Sequence, residues 1–140
     1  MNAIRMLIDG RLCGASGGGT FQHRNPYTEE ELGPFPDATV EDMDAAIAAA
    51  RTAYEQTGWS DDVELRARCI EQLHDAVSAH RDEFADILVT EIGCVRTLAE
   101  SAQLIGALEW LTTAAEYTRT YDFEFDAPEV DAVVNYAPGA

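Results

Sequence analysis

Asp37–Trp59, DATVEDMDAAIAAARTAYEQTGW, is the stretch around which the rest of the chain is arranged. Thr39 and Asp42 have the spacing of a capping box, with Asp where Glu is usual. The Thr hydroxyl can accept from a first-turn amide that lacks a helical partner, while the carboxylate reaches back to the cap. Glu41, Asp42 and Asp44 put negative charge at the positive end of the helix dipole. Val40, Met43, Ile47, Ala50 and Tyr54 recur at helical spacing and form one apolar stripe. Ala45, Ala46, Ala48 and Ala49 raise helix propensity and leave thin flanks against which another backbone can close. Gly58 is expected to stop the helix, and Trp59 to fold back on it as a plug.

Upstream, Arg5–Cys13 (RMLIDGRLC) reads as two short strands joined at Asp9-Gly10, a pair suited to a type I′ turn. Gly14–Gly19 (GASGGG) is a flexible connection. It lacks the Lys-Ser/Thr ending of a phosphate loop. Thr20–Asn25 is extended, Asn25-Pro26 opens a turn, and Leu32–Pro36 is held out of helix by its two prolines. Downstream, Ser60-Asp61-Asp62 begins a second helix, with Asp61 and Glu64 at capping-box spacing. Leu65, Cys69, Leu73, Ala76 and Val77 form its buried stripe, with Ile70 beside it. Arg66 and Arg68 lie near acids at helical spacing, as solvated pairs do. His80-Arg81-Asp82 is a break. A third helix carries Phe84, Ile87, Leu88 and Ile92 and ends at Gly93. A fourth runs from about Leu98 to Tyr121, with Leu98, Ala102, Ile105 and Leu108 on one face and Trp110, Ala114, Tyr117 and Tyr121 on another. Two apolar faces imply a helix sandwiched between layers. The tail is acidic and extended, alternating at Phe123–Asp126, with a strand expected over Val130–Tyr136.

With 140 residues, 46% hydrophobic and 25% charged, the chain has the composition of one globular domain. No apolar run is long enough to span a membrane. Asp9 and Arg11 interrupt the N-terminal apolar run, which argues against a signal peptide, and the expected location is cytoplasmic. The formal net charge is −17, with nine basic residues, all Arg. Such a surface repels phosphate and disfavours nucleic-acid binding. It reads as a solvated surface, and the sharper alternative is a mimic of nucleic acid or a docking face for a basic partner. Absence of Lys excludes Schiff-base and P-loop chemistry within these residues. Cys13, Cys69 and Cys94 are odd in number and show no CxxC spacing, so they read as reduced thiols rather than a disulfide or zinc set. Cys69 belongs to a buried stripe. Cys94 follows a helix end without a neighbouring His to activate it. His74 and His80 have no partner at metal-ligand spacing.

Taken in order, LIDGRL, HRNPYTEEELGPFPDAT, TVEDMDAAIAAARTAYEQTGW and RARCIEQLHDAVSAHRDEFADILVTEIG resemble the amino-terminal part of the aldehyde dehydrogenase superfamily. Asn25, Pro26 and Thr28 fit its N-P-x-T-G-E turn, with Glu29 in place of Gly. Glu91 and Gly93 fit its Glu-x-Gly-Lys helix end, with Cys94 in place of Lys. LEWLTTAAEYTRTYDFE is similar to the family's next element. The resemblance spans nearly the whole chain. It implies an α/β, Rossmann-type family fold, of which this stretch is the α-rich part: about four helices and an N-terminal arm of short antiparallel strands. The expected divisions are an arm at 1–36, the helical part of the cofactor-binding domain at 37–121, and a tail at 122–140 that begins a linker or oligomerisation strand.

The activity implied is NAD(P)-dependent oxidation of an aldehyde to an acid: a Cys thiolate attacks the aldehyde, hydride passes to the nicotinamide, and a Glu-activated water releases the product. The family's catalytic Cys and Glu, its oxyanion-hole Asn and its cofactor-binding residues are expected further along a longer chain. No catalytic or cofactor-binding residue is therefore assigned here. NAD or NADP is the implied cofactor of the whole enzyme and is not expected to bind this chain alone. The aldehyde would be met through the missing part, and a homo-oligomer is implied for the full-length enzyme. The resemblance also offers Trp110, Tyr117 and Tyr121, with Ala114, as a substrate-channel wall, the alternative being ordinary core aromatics. Glu91 corresponds to an acid that in some members holds a monovalent cation with backbone oxygens, here those of His23 and Arg24. The alternative is a hydrated helix-end carboxylate. The chain is expected to be a truncated product or partial gene, inactive alone, with exposed apolar surface. A stand-alone acidic helical interaction module and the small subunit of a split dehydrogenase are the competing expectations.

Overall fold

The structure is a computed structural model that describes residues 4–122, 124–127 and 132–135. Expectations for Phe123, for 128–131 and for the closing Pro138-Gly139-Ala140 lie outside the described residues. The chain begins with two antiparallel hairpins, β1 (Met6–Ile8) with β2 (Arg11–Cys13) and β3 (Thr20–Arg24) with β4 (Glu31–Pro36). Asp9 and Gly10 both take positive φ, 51° and 70°, as a type I′ turn requires. The Asn25 side chain accepts from the amides of Tyr27 and Thr28 at 2.8 and 3.0 Å, which shapes the second turn. Glu29 sits at φ 61°, the left-handed conformation that a glycine would take without strain.

Helix α1 (Val40–Gln56) starts with the complete Thr39–Asp42 capping box. It ends at Gln56, two residues before Gly58. Thr57 is the cap in an extended conformation, and its hydroxyl donates to the Ala53 carbonyl at 2.5 Å. Trp59 does not plug the helix end but stays exposed. Its carbonyl and that of Ser60 accept from Arg66 at 2.7 and 2.9 Å, so Arg66 caps a turn rather than pairing with an acid. Helix α2 (Val63–Ala79) is capped by Asp62, whose carboxylate accepts from the Leu65 amide at 2.8 Å; the expected cap was its neighbour Asp61. His80 ends α2 and opens α3 (Arg81–Ile87), as the sequence break implied.

Two π-helical turns, Leu88–Ile92 and Ala99–Gln103, flank the loop at Gly93–Val95 and the short turn α4 (Arg96–Leu98). Helix α5 (Leu104–Thr120) follows. Each π turn adds residues to a helical repeat and so rotates the helix face beyond it. The face of α5 that turns inward is therefore the one carrying Leu104, Leu108, Leu111 and Ala115. Of the expected face, Leu98, Ala102 and Ile105 are exposed and Leu108 alone turns inward, because the spacing was counted across the second π turn. Helices α2 and α5 pair most extensively. Ala67 and Ala115, both buried, keep their surfaces thin. A small cluster of Ala85, Ala99 and Leu104, joined by Leu88, Val89 and Cys94, seals the corner between α3 and α5. Strands β5 (Glu124–Ala127) and β6 (Ala132–Asn135) form a third antiparallel pair.

The apolar stripe of α1 faces away from these elements. Val40, Met43 and Ile47 are 73%, 58% and 60% exposed, whereas Asp42 on the opposite side is buried. The bare apolar surface expected from the sequence is therefore present, on the helix that defined the reading.

Candidate functional site

The aromatic row on α5 is set by helical spacing alone. Trp110, Ala114, Tyr117 and Tyr121 rise along one side of the helix and its C-terminal cap, opposite the face that meets α2. Trp110 is 72%, Tyr117 60% and Tyr121 54% exposed. They are not core aromatics within this chain. Their rings carry phenol and indole groups able to reach polar atoms.

Glu91 lies in the first π turn, just before Gly93 ends it at φ 72°. A side chain at Gly93 would meet Pro26, whose Cγ lies 2.9 Å from where a Cβ would be. This close approach seats the Asn25-Pro26 turn on the helix end and brings the β3–β4 hairpin over Glu91. As a result, the Glu91 carboxylate lies 4.0 Å from the Nε2 of His23, and both side chains are about one-third exposed. The His23 ring packs against Phe35 at 4.8 Å between centroids, and its Nε2 is buried with no hydrogen-bond partner among the described residues. The sequence paired Glu91 with the backbone of His23 and missed the imidazole. The available signal was strand alternation, which places the β3 residues 21 and 23 near one another and opposite Phe35 and Gly33.

Between α2 and α5 runs a groove of about 400 Å³, lined by Glu71, His74, Asp75, Leu111, Glu116 and Arg119 among others. Arg119 dominates it. Its Nε donates to both oxygens of Glu64 at 3.2 Å and its Nη1 to Glu71 at 2.7 Å. The Arg119 hydrogen bond holds the Glu71 carboxyl below its ordinary range, and the bonds to Glu71 and Glu64 raise the guanidinium. His74 turns to its neighbour Asp75 at 3.1 Å. This arrangement is an ion-paired seam centred on Arg119.

Asp42 is the polar centre that sequence reasoning saw only in part. Besides accepting from Thr39, its carboxylate accepts from the Ser16 amide at 3.0 and 3.2 Å, and the Ser16 and Thr39 hydroxyls meet at 2.8 Å. The amide of Thr39, then that of Ser16, hold the Asp42 carboxyl below its ordinary range against the opposing effect of burial. The Gly-rich loop is thus tied to the start of α1 by a carboxylate, which suits a brace and repels phosphate.

No cysteine is poised as a nucleophile. The Cys13 thiol points to the Met6 carbonyl across β1–β2 at 3.8 Å, Cys69 is half-buried on α2, and Cys94 packs on the Ala85–Ala99–Leu104 cluster. Among the described residues, no three metal-binding side chains converge, and no helix is long and apolar enough to cross a membrane.

Residues 14–139 match the model of the aldehyde dehydrogenase family. The chain is 34% identical over 112 residues to D-glyceraldehyde dehydrogenase (NADP(+)) of Picrophilus torridus, covering 78% of this chain and 22% of that protein. It is 28% identical over 140 residues to 2-hydroxymuconic semialdehyde dehydrogenase of a Pseudomonas species, covering 98% of this chain and 29% of that one. Among solved structures, an aldehyde dehydrogenase from Bacillus cereus in complex with NAD+ superposes with a TM-score of 0.84 at 32% identity, over 91% of this chain and 26% of its own. The chain thus spans less than one-third of the length of these relatives.

Proposed function

Because the chain belongs to the aldehyde dehydrogenase family, we propose that it supplies the amino-terminal scaffold of an NAD(P)-dependent enzyme that oxidises an aldehyde to an acid. The observation that carries this reading is the match to the family model across residues 14–139, nearly the whole chain. In this reading 1–36 is the arm, 37–121 the helical part of the cofactor domain, and 122–140 the start of a linker or oligomerisation strand. The bare stripe of Val40, Met43 and Ile47 supports a scaffold role, since it is a face built to be covered.

The residues described here do not fit a dinucleotide. Their three sheets are antiparallel pairs, and Gly14–Gly19 leads into a strand instead of the N-terminus of a helix. Cofactor binding and the chemical steps are accordingly assigned to residues outside this chain. Hydride acceptance from the aldehyde-derived adduct is what the nicotinamide supplies when bound.

What these residues contribute is position and access. Trp110, Tyr117 and Tyr121 form a wall of the aldehyde channel, where apolar rings exclude water and pack on the substrate. Glu91 is the acid of a monovalent-cation site, with the His23 and Arg24 carbonyls as the remaining protein oxygens. The His23 imidazole stands beside that carboxylate and competes with the ion for it.

A turnover assay of the purified chain with NAD+ or NADP+ and a panel of aldehydes tests the assignment, and the expected outcome is no reduced cofactor. Turnover by the chain alone would refute it. In an active enzyme carrying this stretch, Trp110→Ala should raise KM by about tenfold with little change in kcat, in line with losing one large apolar contact. An unchanged KM would remove Trp110 from the channel. Sodium-23 relaxation should respond to Glu91→Gln if the cation site is correct.

A further inference from the structure

The charge on this chain is distributed in a way that the scaffold role does not require. The sequence has 26 acids against nine Arg and no Lys. Among the described residues, four Arg reach carboxylates: Arg24 to Glu31, Arg51 to Glu55, Arg96 to Asp86 and Glu100, and Arg119 to Glu64 and Glu71. Two others bond to backbone oxygens, Arg66 to Trp59 and Ser60 and Arg81 to Glu100 at 2.8 Å. Asp44, Asp82, Glu109 and Glu116 are exposed and have no ion pair among the described residues.

The acids are also crowded. Hydrogen bonds hold Glu41 and Glu71 ionised, from the α1 backbone and Thr39 and from Arg119 respectively, while the like charges of Asp42 and Asp75 beside them act in the opposing sense. Opposing this repulsion is a thin core. Among the described residues, the buried apolar ones are Ala67, Ala85, Ala99, Leu104 and Ala115, and no large side chain is fully buried. Self-repulsion of a surface far from neutrality destabilises the compact state, and mobile ions relieve it.

We propose that the fold of this stretch is maintained by a diffuse shell of monovalent cations, so that ionic strength decides whether it stays compact. The cations occupy no defined cage. They gather wherever carboxylates outnumber guanidiniums, along α1, α3 and the outer side of α5. This inference rests on charge and packing and is independent of the enzymatic assignment.

The test is thermal melting of the chain, followed by circular dichroism, between about 0.1 M and about 1 M KCl, where the screening length falls from about 10 Å to about 3 Å. The midpoint should rise by at least about 5 °C, with most of the rise complete by about 0.5 M, since screening saturates whereas salting-out does not. A variant combining Asp44→Asn, Asp82→Asn, Glu109→Gln and Glu116→Gln should melt higher than the parent at low salt and respond to KCl no more than about half as steeply. Sucrose, which carries no charge, should not reproduce the saturating rise. A midpoint that does not move with KCl, a variant with the parent's salt slope, or the lack of a cooperative melt at high KCl would each overturn the proposal.

Discussion

Helix α1 and the α2–α5 pair are built from similar material and held in opposite ways. The pair is fastened along its length. Ala67 and Ala115 allow close approach, and Arg119 spans to Glu64 and Glu71. Helix α1 is fastened at its beginning, through Thr39, Asp42 and Ser16, and the Val40, Met43 and Ile47 part of its apolar stripe is more than half exposed. A helix with a correct local start and an uncovered stripe has its secondary structure fixed by nearby residues and its stability left to a partner, because most helical stability in proteins comes from packing.

The largest effect that separates the two should come from Ala115→Leu. Forcing extra methylenes into the α2–α5 seam should cost about 1–3 kcal/mol in urea unfolding, with α1 amide exchange unaltered. Next, Thr39→Ala removes the cap and should cost about 1 kcal/mol. Its loss should appear as faster hydrogen exchange in the first turns of α1, with α2 and α5 unmoved. If α2 and α5 respond equally, the two regions are one cooperative unit and the contrast fails.

Acid separates them by a different route. Asp42 and Glu71 both ionise more readily folded than free. Each therefore adds stability that is complete above the ordinary carboxylate range and is lost as pH falls below about 4, through the lowered folded values. Asp42→Asn should weaken this acid response in α1 exchange, leaving the part carried by Glu41, while the one at the Arg119 seam is unchanged. The smallest effect is expected at Ile47→Ala, within about 0.5 kcal/mol in this chain, as for an exposed position. In a full-length enzyme carrying the stretch, the same change should cost about 2–5 kcal/mol if the stripe is covered there. An equally small cost in both would remove α1 from any interface.

The sequence disclosed what depends on neighbours three or four residues apart. The Thr39–Asp42 box, the Asp9-Gly10 turn and the His80 break are of this kind, each visible as a short pattern with one low-energy backbone solution. It was silent where a face depends on what lies across from it. The stripe from Val40 to Tyr54 is helical as expected, yet its periodicity does not say whether this chain covers it. On α5 the inward face is that of Leu104 and Ala115 rather than Leu98 and Ile105, since the Ala99–Gln103 turn breaks the repeat used to count positions. The Asp62 cap differed from Asp61 because adjacent acids offer the same chemistry and only the entering backbone chooses between them. At the candidate site, Glu91 was legible from its place before Gly93, whereas His23 required knowing that a hairpin far upstream lies over that helix end.

Gly93 has a bearing on how the family's arm can vary. Because its hydrogen occupies a gap that a methyl group would overfill against Pro26, the corner works as a fulcrum. An alanine there would force Pro26 and the helix end apart and so disturb the approach of His23 to Glu91. One missing carbon thus sets the tilt of the arm.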